Sequence, residues 1–306
     1  PVACCLLPVA CCLLPVAYSL FPIPYSLFPI PSLLIMSDRK IVTLLTDFGL
    51  KDVYVGVMKG VIYQIHPTLT IIDLTHEIPA QNLFAARFCL KNAYPYFPPG
   101  TVHVAVVDPG VGSVRRAIAI QLSTGFFVGP DNGIFSGVLE NLDTQEITVV
   151  ELTNSDYWRT NSPSTTFHGR DIFAPVGAHI ASGVSLENLG EKINPESLIK
   201  LPLNKITLTD SGIEGSVQYI DYFGNIITNI PRSNVEGKTW SVVIQKNDNL
   251  SSDKTIVSGN TYSDCKPGEL IAIVGSHDFV EIAANGSSAQ SQLNLKYGDK
   301  VQITGF

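Results

Sequence analysis

The first half of the chain alternates short apolar runs with longer segments whose apolar side chains recur at helical spacing. The apolar runs predict strands at Ile41–Thr46, Leu69–Leu74, Thr101–Val107, Ala117–Leu122, Gly125–Val128 and Glu146–Leu152. The helical spacing predicts helices at Val53–His66, Gln81–Tyr94, near Ile134–Leu142 and at Asp171–Ser182. Strands that alternate with helices in this way are typical of a mostly parallel sheet. This half is therefore predicted to be an α/β domain.

After about Leu201 the pattern changes to short, β-branched runs that are separated by Gly, Asn, Asp or Pro. These runs predict strands at Ile206–Asp210, Gly212–Tyr219, Asn225–Asn229, Trp240–Ile244, Thr255–Val257, Leu270–Val274, Val280–Ala284 and Lys300–Ile303. Such a series indicates an all-β barrel or sandwich. We therefore expect an N-terminal α/β domain over 36–190, a linker with two prolines over 191–204, and a C-terminal β-barrel domain over 205–306.

Residues 1–35 have a different sequence pattern. They carry no charge and repeat with a period of seven, beginning PVACCLLPVACCLL. Tandem copies of the heptanucleotides CCTGTTG and CCTATTC, translated in frame, give these repeats. The recurring prolines and the missing basic segment argue against a signal peptide or a membrane anchor. We expect this segment to be a mistranslated DNA repeat without structure, followed by an ordinary start at Met36.

Composition narrows the function classes. The formal net charge is −7, and no Lys/Arg cluster offers a surface for phosphates, which argues against a nucleic-acid partner. Outside the repeat only Cys89 and Cys265 remain, in no metal or redox spacing, and this favours packing thiols in a reducing cytoplasm. The remaining histidines have no ligand spacing, so we expect neither a metal nor another cofactor.

Two short segments about fifty residues apart carry the strongest candidate chemistry: VDPGVGSVRR at 107–116 and FHGRD at 167–171. They supply a carboxylate at Asp108, a guanidinium at Arg115 and an imidazole at His168, which together can orient and deprotonate a water molecule. His168 precedes a predicted helix, where the pKa of an imidazole is lowered and a neutral base is favoured. The alternative for Asp108 and Arg115 is a structural salt bridge between loop and strand.

Another candidate follows the first strand, in the string Asp47-Phe48-Gly49. It matches a kinase metal motif, but no Gly-rich loop, strand lysine or catalytic loop accompanies it. Ligands of α/β sheets bind at the carboxyl ends of strands, so Asp47 and Asp52 are candidates to bind a ribose diol or an ammonium group. The equal alternative is a simple turn in which Gly49 relieves the backbone.

The β half contains a further candidate at Asp221, Phe223 and Asn225. This segment forms either a hairpin turn or a purine-binding site that uses an aromatic ring and an amide. A loop–strand–loop segment further on, from Gly275 to Gly286, offers backbone groups that can pair with an adenine edge. Its candidate residues are Ser276, Glu281, Ala284 and Gly286.

Seven motifs in order make the chain similar to the adenosine-forming S-adenosylmethionine (SAM) hydrolases, also called SAM hydroxide adenosyltransferases, which are related to fluorinases and chlorinases. The motifs are TDFG, DLTHEIP, VDPGVGS with its arginine, GPDNG, FHGRD, DxFGNxxTN and EIAxNGS. The resemblance spans Ile41 to Phe306. It implies an N-terminal α/β domain, a C-terminal β-barrel, and trimers whose active sites lie between one subunit's N-domain and its neighbour's C-domain. The implied reaction is attack of water or hydroxide on the ribose C5′ of SAM, which yields adenosine and L-methionine.

The same resemblance implies a role for each candidate residue. Asp108, Arg115 and His168 match the residues that activate water, and Asp47 matches the position that binds the ribose diol. Asp52, Asp221 and Ser276 match positions near the methionine amino and carboxyl groups. Phe223, Asn225 and the backbone at Ala284 and Gly286 match the adenine pocket, with Glu281 as a further candidate nearby.

Other function classes remain open from the sequence. The halogenating relatives carry Tyr where Asp108 stands, which favours a hydrolase over a SAM-dependent halogenase. His277 replaces the arginine of fluorinase and leaves recognition of the methionine carboxylate less defined. A SAM- or nucleoside-binding module without turnover would use Asp108 and Arg115 only as a salt bridge. A metal-dependent hydrolase of another nucleoside would lose its activity to a chelator.

Overall fold

The computed structural model describes residues 40–140, 142–244 and 253–305. The predicted repeat segment 1–35 lies outside the described residues. The N-terminal sheet contains β1 Ile41–Thr46, β2 Thr70–Thr75, β3 Thr101–Val106, β4 Ala117–Leu122, β5 Gly125–Pro130, β6 Thr148–Glu151 and β7 Glu191–Lys192. Its helices are α1 Tyr54–Ile65, α2 Leu83–Ala93 and α3 Ala174–Ala181.

The strand order of this sheet is β2-β1-β3-β5-β4-β6-β7 among the described residues. Strands β2, β1, β3 and β5 pair in parallel, and β4 is antiparallel to both β5 and β6. Five of the seven described strands therefore run in one direction, as predicted for a mostly parallel α/β sheet. The carboxyl ends of β1 and β3 lie side by side, which places Asp47 and Asp108 at one edge.

Both faces of the N-terminal sheet are covered by apolar side chains. Leu44 packs with Met58 of α1 and Phe173 in the core on one face. Leu45, the next residue along β1, belongs to the core on the other face, with Leu90 of α2. Successive side chains of a strand point to opposite faces, so a strand buried on both faces must be apolar throughout.

Two predicted helices differ in the structure. The helix expected near Ile134–Leu142 is wrong, because the described residues of this stretch form a 3₁₀ turn at Ile134–Gly137 instead. Gly133 before this turn has a φ of +93°, and a Cβ on Gly137 would lie 3.0 Å from Cγ of Arg87 in α2. The close packing against α2 therefore holds a tight turn. The helix expected over Asp171–Ser182 begins as a single π-helical turn at Gly169–Phe173 and continues as α3.

The C-terminal sheet contains β8 Thr207–Thr209, β9 Gly212–Ile220, β10 Ile226–Pro231, β11 Ser241–Ile244, β12 Lys254–Val257, β13 Leu270–Val274, β14 Phe279–Ala284 and β15 Lys300–Thr304, with the short helix α4 Ala289–Leu293. The described strands follow the order β12-β11-β15-β9-β10-β14-β13, and β8 pairs with β9. These neighbours all pair antiparallel. A bridge between Ser258 and Ala272 brings the two ends together, so the sheet is a nearly closed barrel around an apolar core. The predicted fold class is confirmed in both halves.

Aromatic contacts join α2 to the barrel. Phe88 stacks on Tyr219 of β9 with ring centroids 4.6 Å apart, and Phe84 stacks on Tyr297 at 4.2 Å. Cys89 and Cys265 are free thiols. Among the helices that the structure describes, none is long and apolar enough to cross a membrane.

Candidate active site

The structure brings the carboxylate, guanidinium and imidazole that the sequence singled out into direct contact. Nε of Arg115 donates to Oδ1 of Asp108 at 3.0 Å, and Nη2 donates to Oδ2 at 2.5 Å. The same Nη2 lies 2.7 Å from Nδ1 of His168. The side chains of Arg115 and Asp108 are only 9% and 5% exposed. The guanidinium also packs 5.2 Å from the centre of the Phe173 ring.

This geometry assigns the tautomer of His168. A guanidinium has hydrogen-bond donors and no acceptor, so Nδ1 of His168 must accept and the ring proton must reside on Nε2. The pKa of His168 is lowered below its ordinary value of 6.5, first by burial and then by the positive charge of Arg115. The imidazole is therefore neutral near pH 7 and presents an N–H group at Nε2.

The loop that carries Asp108 and Arg115 is shaped by short-range contacts. The Ser113 hydroxyl donates to the carbonyl of Gly110 at 2.7 Å and accepts from the Arg115 amide at 3.2 Å. Gly112 has a φ of +77°, and a Cβ there would lie 2.3 Å from the carbonyl oxygen of Thr165. Only glycine fits this position, which places the loop beside the segment that leads to His168.

His168 sits just before the π-helical turn that contains the buried Asp171. The Asp171 side chain is fully buried and accepts hydrogen bonds from Arg159, Arg170 and the Ser164 amide. Burial opposes ionisation, but these donors hold the pKa of Asp171 far below its ordinary value. Asp171 thus anchors both the turn and the loop that precedes His168.

The other candidates of the N-terminal domain lie on the neighbouring turn after β1. Oδ2 of Asp47 accepts a 2.8 Å hydrogen bond from the backbone N–H of Gln81. Phe48 packs edge-to-face on Phe167, with centroids 5.7 Å apart, so the Asp47 turn lies against the His168 turn. Asp52 is exposed on the loop between β1 and α1.

In the C-terminal domain, five of the predicted residues line one cavity of about 640 Å³. Its lining consists of Asp221, Phe223, Asn225, Tyr262, Ala284, Gly286, Ser287 and Ser288. The Asp221 carboxylate accepts from the backbone N–H of Asn225 at 2.8 Å and from its side-chain amide at 2.9 Å. The hairpin-turn interpretation is thus correct for the backbone, while the Phe223 ring remains 73% exposed beside the cavity.

The structure separates Ser276 and Glu281 from this cavity lining. Ser276 is exposed on the loop between β13 and β14. Glu281 is 3% exposed and accepts from the Tyr262 hydroxyl at 2.9 Å, and its other oxygen lies 3.1 Å from Nε2 of His277. Burial and the neighbouring Glu281 raise the pKa of Tyr262 to about 12.

Sequence reasoning missed Tyr262, Ser287 and Ser288 as cavity residues. Tyr262 stands in the loop between β12 and β13, far from the other lining residues in sequence, and reaches the cavity through its contact with Glu281. No local motif marks it. Ser287 directly follows Gly286, so the segment that pointed to Gly286 could have included it.

The described residues thus form two half-sites. One half-site is the N-terminal group Asp108, Arg115 and His168 with Asp47 on the adjoining turn. The other is the C-terminal cavity, whose lining residues all fall within 221–288. Among the described residues, no cluster of three or more His, Cys, Asp or Glu side chains is arranged to hold a metal ion.

Comparisons with known proteins cover both domains. The family model of the SAM hydroxide adenosyltransferase N-terminal domain matches residues 42–190, and the model of the corresponding C-terminal domain matches residues 215–302. The chain belongs to the SAM hydroxide adenosyltransferase family. Both half-sites lie within the matched ranges of this family.

Individual proteins of known sequence or structure are similar to the chain over most of its length. The (R)-S-adenosyl-L-methionine hydrolase of Salinispora tropica is 37% identical over 263 residues, covering 86% of this chain and 97% of the relative. A fluorinase of Actinopolyspora mzabensis is 27% identical over 304 residues, covering 88% and 99%. A solved structure of a conserved protein from Thermotoga maritima has a TM-score of 0.77 at 36% identity and covers 86% and 99% of the two chains.

Proposed function

We propose that the chain hydrolyses S-adenosyl-L-methionine to adenosine and L-methionine, with a water molecule attacking the ribose C5′ in line with the C5′–S bond. The observation that carries this proposal is the Arg115 guanidinium, which contacts Asp108 and His168 together in a nearly buried position. A salt bridge alone would not need the imidazole. The family membership and the hydrolase name of the Salinispora relative support the same reaction.

The chemistry of the substrate explains why these side chains suffice. The sulfonium of SAM leaves as a neutral thioether and takes the electron pair of the C5′–S bond, so the leaving group needs no acid and no metal. The enzyme has to align water with C5′ and remove a proton as the new C–O bond forms. We therefore propose a reaction without metal or other cofactor.

In the proposed mechanism the members of the triad have different tasks. The Nε2–H of neutral His168 donates to the water oxygen and orients its lone pair toward C5′. Arg115 stabilises the negative charge that develops on that oxygen. Asp108 takes the proton, because a carboxylate offers about four lone-pair positions and Arg115 occupies only part of them. The proton then passes to solvent.

Substrate recognition is proposed to use both half-sites. Asp47 binds the ribose diol, and Asp52, Asp221 and Ser276 lie near the amino and carboxyl groups of methionine. The adenine ring stacks on Phe223 and pairs with the backbone at Ala284 and Gly286. The Asn225 amide nitrogen already donates to Asp221, so its oxygen is the atom that accepts from the adenine amino group. Glu281 supports this pocket by holding Tyr262.

A homotrimer is proposed to complete the site, with the triad of one subunit facing the cavity of its neighbour. The cavity lining falls entirely within 221–288, which supports a partner that supplies the triad. Exposed apolar side chains flank both half-sites: Leu50, Val53 and Val114 in the N-terminal domain, and Tyr222 and Phe223 in the C-terminal domain. The free thiols Cys89 and Cys265 support a reducing cytoplasmic location.

A complementation experiment tests the shared site. Arg115→Ala disables the N-terminal half-site and Asn225→Ala disables the cavity, so each variant alone should be inactive. Co-expression with random pairing should restore about a quarter of the sites, since one subunit's intact triad then faces its neighbour's intact cavity. A co-expressed pair without activity, from variants that assemble normally, would place the complete site within one subunit.

The reaction itself is tested by chromatography of the products after the purified protein is incubated with SAM. Adenosine and methionine, formed equally with chelator present and with chloride or fluoride added, would support the proposal. Formation of a halogenated nucleoside would identify the protein as a SAM-dependent halogenase. Loss of activity with chelator would favour a metal-dependent hydrolase, and SAM that is bound but intact would identify a binding module.

A further inference from the structure

A chain of polar contacts leads from α1 through β2 to the end of β1. Nζ of Lys59 donates to Oδ2 of Asp73 at 2.6 Å, and Oδ1 of Asp73 lies 3.1 Å from Nε2 of His76. Nδ1 of His76 lies 2.8 Å from the hydroxyl oxygen of Thr46. His76 is 3% exposed and Thr46 is fully buried, so the inner half of the chain is shielded from water.

Thr46 and His76 form the buried centre of this series of contacts. The Thr46 hydroxyl oxygen accepts from the Phe48 amide at 3.2 Å and is also hydrogen-bonded to Nδ1 of His76 at 2.8 Å. Nε2 of His76 is buried 3.1 Å from Oδ1 of Asp73, an ion-pair distance without hydrogen-bond geometry. Burial opposes ionisation of Asp73, but the Lys59 and His76 contacts hold its pKa below the ordinary value.

The inner end of this series of contacts holds the turn that carries Asp47. The carbonyl of His76 accepts from the Gly49 amide at 2.8 Å, so Phe48 and Gly49 are both held by the Thr46–His76 pair. Further along the same loop, Gln81 donates its backbone N–H to the Asp47 carboxylate. Gln81 has a φ of +63°, a conformation that non-glycine residues rarely adopt, and this marks the contact as one that the fold enforces.

We infer that Thr46 and His76 are positioning residues that aim the Asp47 carboxylate at the ribose diol, and that they thereby set the preference of the site for ribonucleosides. This inference rests on the proposed function, in which Asp47 binds the diol. Burying a hydroxyl and an imidazole is costly unless both are paired, and a valine would fill the Thr46 position at lower cost. The buried polar pair of Thr46 and His76 is therefore explained by its role in holding the turn that carries Asp47.

The chain contains a matched control on the same strand. The Thr43 hydroxyl lies 2.8 Å from Nδ1 of His103, and both residues are buried, so this pair repeats the Thr46–His76 contact. Thr43 is in the middle of β1, and its hydroxyl contact is with β3 and not with the Asp47 turn. Thr43→Val and Thr46→Val therefore remove equivalent hydroxyl–imidazole contacts, and only the second also removes the acceptor of the Phe48 amide in the Asp47 turn.

The test compares the affinities of adenosine and 2′,3′-dideoxyadenosine by calorimetry on the full chain. We expect wild type and Thr43→Val to prefer adenosine equally, and Thr46→Val to lose about tenfold of that preference, the effect of one misplaced hydrogen bond. Thr46→Ser keeps the hydroxyl and should restore it. In an Asp47→Ala background, Thr46→Val should change nothing further. In turnover of SAM, the Thr46→Val change should appear mainly in KM.

The outcomes separate the two proposals. If wild type prefers adenosine over 2′,3′-dideoxyadenosine and Thr46→Val keeps that preference unchanged, the positioning role is overturned. The hydrolase proposal then remains intact. An equal loss in Thr43→Val would assign the effect to general destabilisation and also overturn it. Wild type without any preference for adenosine would instead contradict Asp47 as the diol-binding residue.

Discussion

Nη2 of Arg115 lies 2.7 Å from Nδ1 of His168, and this contact decides what the imidazole can do. The guanidinium can only donate, so His168 is an acceptor at Nδ1 and a donor at Nε2. In the proposed mechanism the imidazole therefore orients water, and Asp108 takes the proton. Arg115 thus contacts both neighbours to which the proposed mechanism gives a role.

For kcat, the ability of the Arg115 guanidinium to contact two side chains at once is therefore expected to matter more than its charge. Arg115→Lys keeps the charge but cannot contact Asp108 and His168 together, and we predict a fall in kcat of about 100-fold with little change in KM. Arg116→Lys is the matched control. Arg116 binds Asp131 and Ser197 away from the triad, so this change should lower stability more than kcat. Steady-state kinetics and thermal unfolding of both variants provide the comparison, and equal losses of kcat would contradict the assignment.

The pH dependence of kcat/KM should report His168. Its pKa is lowered in the folded protein, so the neutral form is populated down to below pH 6.5, and activity should fall only as the pH drops through that lowered value. Arg115→Gln removes the nearby positive charge, so the pKa of His168 in this variant, followed by NMR, should move upward. A His168 titration that stays in place would show that Arg115 does not lower this pKa.

Asp171 is expected to control stability near the His168 turn. Its carboxylate is fully buried among Arg159, Arg170 and the Ser164 amide, so Asp171→Asn should cost about 3 kcal/mol in the free energy of unfolding. Because the folded-state pKa is lowered, the carboxylate stabilises the fold fully above the unfolded value of 3.8 and progressively less as pH falls below it. Denaturant titrations at pH 7 and pH 3 should show the difference between wild type and variant shrinking at the lower pH. A difference that does not depend on pH would rule out the charge as its source.

Gly112 is expected to be irreplaceable for steric reasons. An alanine Cβ would lie 2.3 Å from the Thr165 carbonyl oxygen at a φ of +77°. Gly268 has a similar φ of +84° but open space around it, so Gly268→Ala measures the backbone cost alone. We predict that Gly112→Ala loses about 2 kcal/mol more stability than Gly268→Ala and also lowers kcat, since the loop carries Asp108 and Arg115. Similar unfolding energies for the two variants would show that the loop can move away from Thr165.

Much of the fold could be predicted from the sequence because strands buried on both faces must be apolar throughout. Ile41–Thr46 and Leu270–Val274 were predicted with the boundaries that the structure has. The turn at Ile134–Gly137 was not, because the packing of Gly137 against Arg87 of a distant helix decides it. Helical spacing carries no information about such a contact.

The candidate site likewise contains residues that the sequence predicts and residues that only tertiary contacts reveal. Asp108, Arg115 and His168 could be proposed because each stands at a strand end or glycine turn within a recognisable motif, and the structure shows them in contact. Their functional roles stay predictions. Tyr262 was missed, since only its hydrogen bond to Glu281 brings it to the cavity. His76 lies inside the DLTHEIP motif, but its link to Thr46 depends on the parallel pairing of β1 and β2.

The most direct test of the central claim is hydrolysis of SAM in ¹⁸O-labelled water, followed by mass spectrometry of both products. Attack of water on C5′ predicts that the label enters the 5′-hydroxyl of adenosine and that methionine stays unlabelled. Label in an amino-acid product with release of methylthioadenosine would show attack on the methionine side chain and would contradict the account. Unlabelled adenosine would equally contradict it, because the new oxygen would then not come from water.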